Sequence, residues 1–278
     1  MISFDFEYYR RDTLEEAYGI YGSLAGSGKK PVYYAGGTEI ISLARMNQIA
    51  FKSAIDIKSI AECNVCEIQN NRIILGSAVT LTKICEANVL PLLSEAAKMA
   101  ADHTSRNRIS LGGNICSSLP YKEAVLPLLA CDASVVIMGI NGKRTAMLSE
   151  VFNQNIILQS GEFLVQFIID TLYAKLPFKS VKRTRQGELD YPLASVAAIK
   201  KDGRIRFSFS GICSFPFRSL QMEDDLNLPG LSQEDRINKA VSHLPAAAVT
   251  DILGSAEYRQ FVLANILKDM LGTLEGVV

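Results

Sequence analysis

Two short stretches of the chain hold residues whose types and spacing could do chemistry: "YYAGGTEI" at residues 33–40 and "ISLGGNICSS" at residues 109–118. In each, a pair of glycines follows an apolar run and precedes a polar one. Glycine has no Cβ, so it can take positive φ and let main-chain N–H groups come close to a ligand, and successive N–H groups form a concavity for anions. Gly36 and Gly37 are followed by Thr38, whose hydroxyl can donate to a phosphate oxygen, and by a helical pattern whose first N–H groups and dipole favour negative charge. Gly112 and Gly113 are followed by Asn114, whose amide can donate and accept, and by Ser117 and Ser118. Either pair alone is more often a plain tight turn. Together they suggest a diphosphate held between two loops.

Other motifs carry less. The run "GSLAGSGKKP" at residues 22–31 has Ser23 where a phosphate loop needs glycine and Lys30 where it needs Ser or Thr, and it lies between a helix and a strand in the wrong order. Cys63 and Cys66 have the spacing of a metal knuckle or redox pair, but a closed zinc site needs four ligands and a redox pair belongs at a helix start, whereas this one precedes the strand pattern "RIILG". The two histidines, His103 in a polar loop and His243 near a helix end, read as structural or solvated. No nucleophile elbow is present. Neither a catalytic residue nor a metal ligand is assigned.

The 29 basic and 29 acidic residues balance, and no Lys/Arg tract interleaves with aromatics, which argues against nucleic acid as a partner. No apolar stretch of about 18 residues and no signal-like N-terminus appears, so the expectation is a cytoplasmic protein without a membrane partner. Cysteines at 63, 66, 85, 116, 131 and 213 are too scattered for a disulfide framework and read as reduced thiols.

The elements that must position the two glycine pairs follow from periodicity. Asp12 or Thr13 caps a helix whose face is Leu14, Ala17, Ile20 and Tyr21; Val32–Ala35 forms a strand, Glu39–Met46 a helical turn and "SAIDI" a second strand, a compact βαβ-like unit. From Cys66 strands and helices mix irregularly, with Asn141-Gly142 as a hairpin turn and "EFLVQFIID" as a last strand. Alternating strands with a tight turn at Asp202-Gly203 come next, then helices over 232–243 and 257–271. Soft boundaries fall near residues 58 and 174.

With these residues in view, the chain resembles the FAD-binding, or medium, subunit of the molybdenum hydroxylases, a family that includes xanthine, carbon monoxide and nicotinate dehydrogenases. "AGGTEI" matches the family's A-G-G-T/H motif and "RNRISLGGN" its R-N-x-G/A-T-I-G-G-N motif; "FEYYRRDTLEEA", "AIDIKSI", "PLLACDASVVI" and "KRTRQGELDYPLASVAA" match further segments, so the resemblance spans nearly the whole chain. It implies an α+β fold: a two-subdomain FAD-binding unit of the vanillyl-alcohol-oxidase (PCMH) type, over 1–57 and 58–173, followed by a C-terminal domain of antiparallel sheet and helices over 174–278.

By motif position, the resemblance implies that Tyr33, Tyr34, Ala35, Gly36, Gly37, Thr38, Glu39 and Ile40 line the adenosine and diphosphate. Ile109, Ser110, Gly112, Gly113, Asn114 and Ser117 form the second loop, Leu164 packs against the flavin, and Lys182 stands near its ring, where a cation stabilises the reduced form. Glu123 replaces the family's aspartate on the ribityl hydroxyls, with one more methylene; Ser110 replaces a threonine, and His103-Thr104-Ser105 replaces P-Q-I. The implied assembly is a heterotrimer with a molybdopterin-binding large subunit and a small subunit carrying two 2Fe-2S clusters, this chain's FAD passing electrons to an acceptor such as NAD. Two rivals stand beside it: a self-sufficient FAD-dependent oxidoreductase of the same fold, and a flavin-free assembly subunit.

Overall fold

The structure, a computed structural model, describes residues 1–187 and 189–276, so Glu188 and the last two residues of the expected C-terminal stretch lie outside the described residues. Three main sheets organise the chain. The first is parallel, with Ser53–Asp56 between Glu7–Arg10 and Pro31–Tyr34. Its central strand is buried throughout, as a strand covered on both faces must be. The edge strand Glu7–Arg10 has no counterpart in the periodicity reading, because its mostly exposed residues show no apolar alternation; only pairing with Ser53–Asp56 makes it a strand. Thr13 caps helix Leu14–Gly26, its hydroxyl accepting from the Glu16 N–H at 3.2 Å.

The second sheet is antiparallel, in the order Cys66–Gln69, Arg72–Gly76, Phe163–Asp170, Ser134–Gly139, Gly142–Met147. The expected hairpin at Asn141-Gly142 forms, with Gly139 paired to Gly142. A second hairpin, unannounced by any glycine, turns at Asn70 and Asn71, whose φ angles of 50° and 58° put both in the left-handed region that Asn tolerates. Cys66 therefore opens a strand rather than lying in a connection before one. Short helices between Gly76 and Ser134, among them Pro91–Lys98, Leu111–Cys116 and Val125–Ala130, cover one face around Ile73, Leu75, Val135 and Phe167.

The third sheet, Phe178–Thr184, Pro192–Lys201 and Arg204–Ser210, is antiparallel, and Asp202 and Gly203 turn it with φ of 51° and 75°. Helices Leu220–Leu226, Gln233–Ser242 and Ala256–Glu275 bury their apolar faces on it. The fully buried Arg259 ties the last helix to this sheet, donating to the carbonyls of Leu193 (2.9 Å) and Gly211 (2.7 Å) and to Asp251 (2.6 Å).

The cores run into one another. Leu14 and Ile55 of the first unit share a cluster with Met138, Phe163 and Val165 of the second sheet, and Ala197 and Ile199 of the third sheet belong to the second core. Asp132 adds a polar clasp, accepting from Arg218 and Tyr173 at 2.7 and 2.8 Å and also from Arg206. This packing leaves a cleft lined by residues of all three units. No described helix is long and apolar enough to cross a membrane.

Candidate functional site

The strand Pro31–Tyr34 delivers the first glycine loop to the start of helix Thr38–Arg45. Gly37 sits at the cap position with φ 74°, a left-handed conformation that a side chain strains. Gly36 answers a different need: a Cβ there would lie 1.8 Å from the Arg108 carbonyl oxygen, so the first loop rests directly on the backbone that leads into the second motif. Glu39 completes the join by accepting from the Ser118 N–H at 2.8 Å and from its hydroxyl.

The second motif differs from its expectation as a positive-φ loop. Ser110 caps helix Leu111–Cys116, accepting from the Gly113 N–H at 3.2 Å, and Gly112 and Gly113 lie inside that helix. Glycine serves close approach here. A Cβ on Gly112 would stand 2.7 Å from the Ser77 Cβ, and one on Gly113 would stand 2.8 Å from the Ser110 hydroxyl. No local pattern distinguishes such a pair from a turn; Ser77, in the turn after the strand Arg72–Gly76 and more than thirty positions earlier, decides it.

All the residues assigned from sequence, Tyr33 through Ile40, Ile109, Ser110, Gly112, Gly113, Asn114, Ser117, Glu123, Leu164 and Lys182, line one cleft of about 940 Å³. That volume is at the upper end of the roughly 300–1,000 Å³ typical of small-molecule sites. The Lys182 ammonium donates to the Met99 carbonyl at 2.8 Å and stands 3.5 Å from a Glu123 oxygen, both side chains being buried. Burial pushes the Glu123 carboxyl up, against the pull of Lys182 and the Asn114 amide. Asn114 also accepts from the Ala124 N–H at 3.1 Å, which fixes the turn that carries Glu123.

Several lining residues escaped the sequence reading. Tyr121 and Tyr191 stack with ring centroids 4.9 Å apart although seventy positions separate them, and Glu162 is held by both nitrogens of a bidentate Arg144 at 2.9 Å. Hydrogen bonding from Arg144 keeps the Glu162 carboxyl below the ordinary carboxylate value. Tyr33, by donating to the Gly161 carbonyl at 2.8 Å, links this edge to the first loop. His103 opens a short helix rather than lying in a loop, His243 bonds to Asp225 at 2.5 Å, and neither lines the cleft. Burial raises the Cys63 thiol to about 11, which leaves it a packed apolar group. Among the described residues no group of three or more His, Cys, Asp or Glu side chains could hold a metal ion.

The donor set fits a dinucleotide. The first turn of an eight-residue helix leaves N–H groups without partners inside the helix, glycines leave space where side chains would fill the cradle, and Leu158, Phe163 and Leu164 give a flat ring an apolar wall. Residues 4–171, more than half of the chain, match the family model described as the FAD binding domain in molybdopterin dehydrogenase. The chain belongs to this FAD-binding family.

FAD is the cofactor of the family, and the residues lining the cleft fit such a molecule. Over nearly its whole length this family member is similar to the glyceraldehyde dehydrogenase medium chain of Sulfolobus acidocaldarius, at 26% identity over 93% of this chain and 94% of the relative. It is likewise similar to the nicotinate dehydrogenase FAD-subunit of Eubacterium barkeri, at 24% identity over 98% of each. Among solved structures, carbon monoxide dehydrogenase from Hydrogenophaga pseudoflava superposes with a TM-score of 0.86 at 24% identity over 98% of both chains. That from Oligotropha carboxidovorans gives 0.87 at 19% over the full length of both. These likenesses establish the fold: an FAD-binding unit of PCMH type followed by a sheet-and-helix unit.

Proposed function

We propose that this chain is the cytoplasmic, FAD-binding electron-transfer subunit of a molybdenum hydroxylase complex. In this reading it assembles as a heterotrimer with a molybdopterin-binding large subunit and a small subunit holding 2Fe-2S clusters, and passes electrons from those clusters to an acceptor such as NAD. The supporting observation is the end-to-end match with medium chains and FAD-subunits of dehydrogenases, at 93–98% coverage of this chain, combined with a cleft lined by every residue the FAD motifs assign. The choice of hydroxylated substrate belongs to the large subunit.

Within the cleft each group has a physical task. The first-turn N–H groups beyond Gly37 hold the diphosphate by helix-terminus electrostatics. Glu123 holds hydroxyls of the ribityl chain, and Lys182 keeps a positive charge buried beside it. Leu164 and its apolar neighbours exclude water from the ring. Bound FAD supplies the capacity to exchange electrons with both one-electron and two-electron partners.

The test is to co-express the chain with its two partner subunits, record the absorption spectrum of the purified complex, and denature it mildly. Free flavin released at one per chain, with the flavin in the intact complex reduced when hydroxylation substrate is added, is the expected result. A complex that never contains flavin, or a monomer that ignores both partners and turns over a substrate alone, defeats the reading.

A further inference from the structure

Behind the first glycine loop lie Tyr8, Asp56 and Lys58, which do not belong to the cleft lining. Asp56 ends the central strand of the parallel sheet and is 3% exposed. It accepts from the Tyr8 hydroxyl on the neighbouring strand, from the Lys58 N–H at 2.8 Å and from the Lys58 ammonium at 2.7 Å. That ammonium donates also to the Ala35 carbonyl at 3.2 Å and stands 4.3 Å from the centroid of the Tyr34 ring. Tyr34 and Ala35 directly precede Gly36, and the Tyr34 ring is what a Cβ on Gly37 would meet at 2.5 Å.

A lysine head on a flexible stem ordinarily samples many positions. Here a carboxylate, a carbonyl and a ring face hold it in one. Burial alone would raise the Asp56 carboxyl, but the hydrogen bonds from Lys58 and Tyr8 outweigh it and keep it below the ordinary value, so Asp56 stays a charged anchor. The Ala35 carbonyl belongs to the same peptide unit as the Gly36 N–H. A cation bonded to the oxygen of a peptide polarises it and strengthens its N–H as a donor. The cleft needs such help: its described lining carries Glu39, Glu123, Glu162 and Asp190 against one cation, Lys182, yet must accept an anionic diphosphate.

We propose that Lys58, anchored by Asp56, is a positioning residue that polarises the Ala35–Gly36 peptide and sets the affinity of the first loop for the diphosphate of FAD. This rests on the reading of that loop as the diphosphate site. Lys58 acts through the backbone and not by lining the cleft, and Tyr8 and Tyr34 keep its anchor and its perch in place.

The experiment uses the full chain, stripped of flavin and titrated with FAD and with riboflavin, which lacks the diphosphate, while thermal unfolding is followed in parallel. In the wild type FAD should bind much more tightly than riboflavin. Lys58→Met, which keeps the stem and removes the charge, should narrow that FAD-to-riboflavin gap by about threefold, the equivalent of one helix-terminus charge interaction at an exposed position, the Lys58 side chain being 45% exposed. Riboflavin affinity should stay near wild type, while the unfolding temperature falls because Asp56 loses a partner. Lys58→Arg should restore most of the gap, and Asp56→Asn should reproduce part of the loss. An unchanged gap in Lys58→Met, or an equal loss of FAD and riboflavin binding, overturns the inference. Equal binding of FAD and riboflavin by the wild type would instead remove the diphosphate reading itself.

Discussion

At the first glycine loop a Cβ on Gly36 would stand 1.8 Å from a backbone oxygen and Gly37 holds φ 74°, whereas at the second loop Gly112 and Gly113 are helical residues whose added Cβ atoms would come no closer than 2.7 Å to Ser77 and 2.8 Å to the Ser110 hydroxyl. Each loop is backed by a lysine–carboxylate pair, and these differ too. Asp56 is hydrogen-bonded by Lys58 and Tyr8 strongly enough to be held down, while Glu123, with its lysine no nearer than 3.5 Å, is pushed up by burial. The same dipeptide and the same charge pairing thus do different work, because backbone strain and desolvation depend on what surrounds them.

The largest effect should come from Gly36→Ala. The Arg108 carbonyl cannot rotate away as a side chain would, so the two loops must separate; we expect a loss of about 3 kcal/mol or more and no detectable FAD in the purified chain, measured by urea unfolding and flavin absorbance. Gly37→Ala comes next, at about 2 kcal/mol, from left-handed strain plus displacement of the Tyr34 ring. Wild-type stability and flavin content in both variants would erase the contrast with the second loop.

Gly112→Ala should cost about 1 kcal/mol, because the collision with Ser77 exceeds the gain in helix propensity, and Ser77→Gly in the same chain should recover part of it, the Ser77 carbonyl oxygen at 3.0 Å remaining. A double variant no more stable than the single would show that the Ser77 contact is not the constraint.

The two carboxylates should carry opposite pH signatures. Because Asp56 is lowered, its contribution to stability is present above the ordinary Asp value of about 4 and is lost as pH falls through its folded value; the wild type should exceed Asp56→Asn at neutral pH and converge with it in acid. Because Glu123 is raised, its contribution is present below the ordinary Glu value of about 4.3 and is lost as pH rises; the margin of wild type over Glu123→Gln should shrink toward neutrality. Unfolding midpoints from pH 3 to 8 decide this, and parallel curves would refute it. The smallest effect belongs to Gly113→Ala. It displaces only the Ser110 cap hydroxyl, a loss of about 1 kcal/mol that the alanine's helix propensity nearly cancels, so unfolding should move by less than about 0.5 kcal/mol.

Much of the site was legible because its motifs are local. The left-handed Gly37, the cap at Thr13, and the hairpins at Asn141-Gly142 and Asp202-Gly203 follow from backbone preferences that a few neighbouring residues set for themselves. The residues that motif position assigned to FAD all reach one cleft, because strand ends and helix starts deliver them there. What the amino-acid sequence did not determine by itself lies wherever two distant segments touch. Glu7–Arg10 is a strand only through its pairing, the second glycine pair is helical because Ser77 and Ser110 close on it, and Tyr121 meets Tyr191 across the cleft. Lys58 reads locally as an exposed surface charge, and only the meeting of two strands and a loop makes it a brace. Local sequence sets which conformations are cheap, whereas close approach and desolvation are properties of pairs, and those pairs exist only once the chain has folded.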